Sequence, residues 1–249
     1  MISNQFLSQI DLKREGIASF DAYQFSLNAV RNLNSLKLHP GVTFLVGENG
    51  SGKSTLLEAI AVAWGFNPEG GSRSFQFDTR ASHSNLHDHL RLVRGVKEPR
   101  DGYFLRAESF FNVASEIEKL DEEKANAPLI GPAYGKRALH EQSHGEAFLA
   151  LMLNRFHGNG LYILDEPEAA LSPNRQLAVL SHIHQLVSDR SQFLIATHSP
   201  ILMAYPNATI YHLTNDGIHE IAYEETEHYA VTKAFLDNHE RMLKELMKV

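Results

Sequence analysis

The sequence predicts an α/β fold: a mostly parallel central sheet covered by helices on both faces, antiparallel N-terminal edge strands, and an inserted helical arm. Three observations carry that expectation. Short apolar runs, VTFLV (42–46), LYILD (161–165), QFLIAT (192–197) and TIYHL (209–213), alternate with helical patterns. A glycine-rich run, GENGSGKST, separates the first of these from a stretch of helix formers. An acidic pair closes the second. At 249 residues the chain can bury a substantial core, and we expect one domain over 1–249, with 66–160 as the inserted arm.

Taken in order, the N-terminal stretch FDAYQFSLNAVRNLNSLKL alternates apolar and polar residues in a β-like way and is expected to add the antiparallel strands. The GENGSGKST run then meets the spacing GxxxxGK[ST] at Gly47, Gly52, Lys53 and Ser54, between a strand and a helix. It reads as a phosphate-binding P-loop: Gly47, Glu48, Asn49, Gly50, Ser51 and Gly52 curl so that successive N–H groups point at phosphate oxygens. Lys53 can reach the β- and γ-phosphates of ATP, the Ser54 hydroxyl can ligate Mg²⁺, and Thr55 can bond the α-phosphate. TLLEAIAVAW continues as a helix, with Gly65 as its stop.

From residue 66 to 160 the pattern turns polar and helical, with turn signals at Pro68, Gly70, Gly71, Pro99, Gly131 and Pro132. Arg73, Arg80, Arg91, Arg94, Lys97, Arg100 and Arg106 fall here, offset by Asp78, Asp88, Glu98 and Asp101, and read as a solvated helical arm. His83, His87 and His89 lack a metal-ligand spacing. QSHGEAF (142–148) opens the helix of AFLALMLNRF. Ser143 and Glu146 form a capping box there, and the same helix start, with the Ser143 hydroxyl and the Gly145 N–H, can hold an anion.

LYILDEPEAAL places Asp165 and Glu166 at the C-terminal end of a buried strand, the edge at which open α/β sheets bind ligands. Asp165 suits contact with Mg²⁺, and Glu166 can polarise a water for in-line attack on the γ-phosphate. His198 follows the strand QFLIAT at the same edge, where it can bond the γ-phosphate and hold that water near Glu166. The C-terminal TEHYAVTKAFLDNHERMLKELMKV reads as a long amphipathic helix whose apolar positions are expected to dock on the body.

Composition narrows the partners. Cysteine is absent, which removes disulfides and thiolate metal sites. The N-terminus has no basic region followed by an apolar stretch, and no apolar run approaches the ~20 residues that span a bilayer. A cytoplasmic location is expected. The net charge of −7 argues against a surface devoted to nucleic-acid backbones while leaving local patches open.

The order and spacing of GENGSGKST, QSHGE, LYILDEPEAAL and ATHSP are similar to those of the ATP-binding cassette (ABC) ATPases. In motif style, DEPEAALSP and THSP look closest to the soluble RecF/SMC/OLD-like AAA-family ATPases, whereas transporter cassettes tend to read DEPTSALD and THD. The resemblance implies a homodimer around two ATP molecules, each held by the P-loop of one subunit and by the signature, here Ser143 and Gly145, of the other; His198 is then the switch histidine. The sequence departs from the family at His144, where the signature's first glycine stands, and at Ser172, in place of the D-loop aspartate. Glu108 and Gln76 are the candidates for the Q-loop residue. Phe20 and Tyr23 lie where an adenine-stacking aromatic can occur, with core packing the simpler reading. Three roles stay open: an ATPase in DNA maintenance or defence, with DNA or an unidentified protein as partner; a transporter's nucleotide-binding subunit; and a slow-hydrolysing, nucleotide-gated interaction module.

Overall fold

The computed structural model describes residues 5–73, 84–110 and 144–247. Its core is a six-stranded sheet. Strand β3 (Val42–Val46) lies between β7 (Gln192–Ala196) and β8 (Thr209–Thr214), parallel to both. β6 (Gly160–Asp165) pairs in parallel with β7 and with β5 (Asp101–Arg106), and β9 (Gly217–Glu220) closes the other edge as an antiparallel hairpin with β8. The apolar runs at β3, β6 and β7 are buried on both faces, which is why they read as continuous rather than alternating.

Alternate residues of these strands feed two cores. Phe44, Tyr162 and Phe193 pack with helix α4 (His144–Arg155) and helix α5 (Pro173–Ser188) on one face. Leu45, Ile163 and Leu194 pack on the other face with helix α3 (Lys53–Trp64). A second, three-stranded antiparallel sheet of β2 (Ser35–Lys37), β1 (Leu7–Leu12) and β4 (Leu90–Arg94) shares the core of α3. Gln192 ties the two sheets: its buried Oε1 accepts from the Phe6 and Leu7 N–H groups, and its Nε2 donates to the Leu7 and His39 carbonyls.

The mostly parallel sheet with added antiparallel strands is as expected; three local expectations are corrected. Residues 20–38 hold two short helices, α1 (Tyr23–Ser26) and α2 (Asn28–Arg31), ahead of the short β2, so the β-like alternation holds only at the end of the stretch, where β2 pairs antiparallel with β1. Phe25, Ala29 and Val30 are buried there at helical spacing. The polar stretch after residue 66 contributes strands as well as a helix: Arg91 and Arg94 lie on β4, and β5 joins the central sheet. Helix α7 (Glu227–Met247), kinked at Asn238, does not dock along an apolar face; none of its residues is buried, and Val231, Phe235 and Leu236 are exposed. Ser143 and Gln76 lie outside the described residues.

Candidate active site

The C-terminal ends of β3, β6 and β7 converge on one pocket. After β3 the chain turns through Gly47, Gly50 and Gly52, all at positive φ, and enters α3 at Lys53. The conformation demands glycine at the first of these: at Gly47 (φ 148°) a Cβ would stand 2.5 Å from the Leu213 carbonyl oxygen. Lys53 is 4% exposed, and its ammonium donates to the Gly47 and Glu48 carbonyls at 2.8 and 2.9 Å. Burial lowers its pKa, against the opposing pull of Glu166, Asp165 and Glu168. Tyr23, Asn49, Gly50, Gly52, Ser54, Thr55 and Glu166 line the pocket with it. On the outer side Glu48 and Ser51 border a cleft of about 380 Å³ shared with His212, Asn215 and Glu227.

Opposite the loop, the Ser54 hydroxyl donates to Asp165 Oδ1 at 3.0 Å. Asp165 is 6% exposed, and its pKa is pushed up to about 6 by burial, against the pull of Arg106 and the Ser54 hydrogen bond. Arg106, in register with Asp165 across β5 and β6, places Nε 3.6 Å from Asp165 Oδ2 and Nη1 2.6 Å from Glu58. It was not anticipated as a site residue; the available signal was a lone arginine ending the apolar run GYFLR. Hard oxygen donors, one hydroxyl and one buried carboxylate, fit a divalent cation that takes its remaining ligands from phosphate and water.

The raised pKa has a thermodynamic consequence. A carboxyl protonated more readily in the folded than in the unfolded state costs stability as pH rises from about 4 to about 6, and the full cost persists above that. Asp165→Asn removes the buried charge at constant shape, so the ligand-free variant is expected to be more stable than the parent at pH 7, by about 1–3 kcal/mol, with the gain vanishing below pH 4. Thermal melts across pH check this; a variant less stable than the parent at pH 7 would show that the Arg106 and Ser54 contacts outweigh desolvation.

Glu166 follows in a left-handed conformation (φ 50°, ψ 52°), its N–H donating to the Ala196 carbonyl of β7. His198 begins the segment after β7, with Nε2 3.5 Å from Glu166 Oε1. Its N–H donates to Glu168 Oε1, and its ring Nδ1 lies 2.8 Å from His228 Nε2. Burial and Lys53 lower the His198 pKa, with Glu166 opposing. The turn is held because Ser199 caps the short helix α6 (Pro200–Met203), accepting from the Ile201 and Leu202 N–H groups while donating to the buried Gln176 at 2.6 Å. Pro200, at the first helical position, needs no N–H partner.

Lys53, Ser54, Thr55, Asp165, Glu166 and His198 are thus brought together. Gly145, in the first turn of α4, does not line the pocket; a Cβ there would collide with the Ala170 carbonyl and stand 2.5 Å from Arg175 Nη1. Gly145→Ala is accordingly expected to lower stability by about 1–3 kcal/mol, read by denaturant titration. Tyr23 corrects the core-packing expectation: it is 72% exposed and lines the pocket. Phe20 is half-buried and packs on Phe25. Glu108 is 90% exposed, 4.0 Å from Arg106.

Comparison with known proteins bears on the fold. A family profile described as an AAA domain matches residues 12–100. No curated protein matches by sequence. Among solved structures, an ATP-binding cassette of an ABC transporter is similar at 19% identity and TM-score 0.51, over 89% of this chain and 93% of that one. The SMC head domain from Thermotoga maritima is similar at 14% identity and TM-score 0.45, over 87% and 98%. Sheet order, P-loop and the likeness across nearly the whole chain lead to one conclusion: the protein has the fold of a P-loop ATPase of the ATP-binding cassette type.

Proposed function

We propose that this protein hydrolyses ATP with Mg²⁺ at the pocket between the P-loop and the end of β6. The observation that carries the reading is the Ser54–Asp165 contact, which sets a hydroxyl and a buried carboxylate beside a buried lysine and a strained glutamate. Lys53 leaves the Gly47 and Glu48 carbonyls for the β- and γ-phosphate oxygens, exchanging neutral acceptors for charged ones. Ser54 and Asp165 hold Mg²⁺, which supplies charge neutralisation when bound. Glu166 accepts a proton from water as its oxygen bonds to the γ-phosphorus and the bond to the bridging oxygen breaks, leaving the electron pair on ADP. His198 donates to the phosphoryl oxygen beside Glu166. Release of phosphate from ATP, absent when EDTA is added, tests the reading; no release above the buffer rate counts against it.

Two copies close around two nucleotides, with Ser143 and Gly145 of each facing the nucleotide on the other's P-loop. The motif order supports this arrangement. Ser143→Arg blocks both composite sites of a homodimer, and Lys53→Ala empties both P-loops. Mixing the two variants leaves one intact site per heterodimer, so ATP-dependent association is expected to return in the mixture alone, read by light scattering. No association, with both variants folded, leaves Ser143 as a plain helix cap. The motif style of DEPEAALSP and THSP favours a role in DNA maintenance or defence over transport. A duplex-dependent change in ATPase rate supports that role, and an unchanged rate at saturating duplex removes it.

A further inference from the structure

His198 and His228 face each other across one short contact: His198 Nδ1 lies 2.8 Å from His228 Nε2, with ring centroids 4.9 Å apart. The other nitrogen of His198 looks at Glu166 Oε1, 3.5 Å away. Burial lowers the pKa of both rings, and Lys53 adds to that effect on each. Two neutral imidazoles meeting at this distance share one proton, and two arrangements exist. If His198 donates from Nδ1, its bare Nε2 lone pair confronts the Glu166 carboxylate, acceptor against acceptor. If His228 donates from Nε2, His198 accepts at Nδ1 and carries its proton on Nε2, aimed at the carboxylate. Electrostatics selects the second.

We propose that His228 is a positioning residue: its Nε2–H donates to His198 Nδ1 and so fixes His198 as an Nε2–H donor toward Glu166 and the γ-phosphate. The inference rests on the ATPase reading for its effect on turnover, while the tautomer stands independently of it. His228 belongs to the first turn of α7, and that turn is anchored. Thr226, 1% exposed, accepts from the Tyr229 N–H, and the Tyr223 hydroxyl just before it donates to the Pro200 carbonyl of the His198 segment. Beyond that turn, residues 231–240 are exposed. Seating of the C-terminal helix and the proton placement on His198 are therefore one structural variable.

The test uses the full chain labelled with ¹⁵N-histidine, with the His198 signals assigned by their loss in His198→Gln. Long-range ¹H–¹⁵N correlations are expected to show His198 as the Nε2–H tautomer. In His228→Ala that tautomer gives way to a mixture, and kcat falls about tenfold while KM for ATP changes less than about twofold, the loss of one hydrogen bond's worth of orientation. His228→Gln, whose amide can donate at the same reach, restores both the tautomer and the rate. His228→Glu, an acceptor alone, draws the proton to His198 Nδ1 and falls below the alanine variant. Should the alanine variant not fold, the glutamine and glutamate variants decide, being alike in size and opposite in hydrogen bonding. An Nδ1–H tautomer of His198 in the parent, or a tautomer and kcat unchanged by glutamate, overturns the proposal. A parent without ATPase activity but with the expected tautomers refutes the ATPase reading and leaves the His228 assignment standing.

Discussion

Lys53→Ala is expected to weaken Mg·ATP binding by about 30-fold or more, because removing one member of a buried, charge-assisted pair costs roughly 2–5 kcal/mol and each 1.4 kcal/mol is a factor of ten. The geometry explains why the loss is so concentrated. Gly47, Gly50 and Gly52 supply N–H groups, but Lys53 is the cation that reaches the loop, at 4% exposure and with two carbonyls as its resting partners. Those carbonyls mark where anionic oxygens bind more strongly. Alanine is the best helix former at the first position of α3 and leaves no buried charge, so the fold is expected to persist. Isothermal calorimetry with a melt on the same sample separates the effects; unchanged affinity in a folded variant would remove the P-loop assignment.

How much of this was legible in the sequence depends on the range of the forces involved. The β3, β6, β7 and β8 strands were readable because each is a local apolar run, and the VTFLV run coincides with β3, Val42–Val46. Gly47, Gly52, Lys53 and Ser54 were readable because phosphate binding needs those residue types at a fixed local spacing. The α1 and α2 turns were not: YQFSLNAVR fits both periods over so short a length, and tertiary burial of Phe25 and Val30 decides between them. Arg106 reaches Asp165 only through parallel pairing of β5 with β6, a register no local pattern encodes. His228 reaches His198 through the return of a helix 30 residues later, and its sequence neighbours carry no signal of it. The apolar positions of α7 show the converse: amphipathic spacing describes a helix face and is silent on whether this chain covers it.

Glu166→Gln is expected to leave nucleotide affinity within about twofold and lower kcat by about 10²- to 10⁴-fold, the range associated with a positioned general base. The amide keeps the length and shape of the carboxylate and loses only its ability to take a proton. The backbone supports the assignment independently. A non-glycine residue at φ 50°, ψ 52° costs on the order of 1 kcal/mol or more, and such strain survives where a side chain must be aimed. Here the left-handed turn directs the 39%-exposed side chain into the P-loop pocket, beside His198. Glutamine inherits the same strain, so its melting temperature is expected to match the parent's. Glu166→Gly, in contrast, relieves the strain and is expected to raise stability by about 1 kcal/mol while abolishing turnover. That opposition between stability and rate is the signature of a strained catalytic residue. If glutamine hydrolyses ATP at the parental rate, the base lies elsewhere; if glycine destabilises the fold instead, the conformation is held by packing, and the strain at Glu166 says nothing about catalysis.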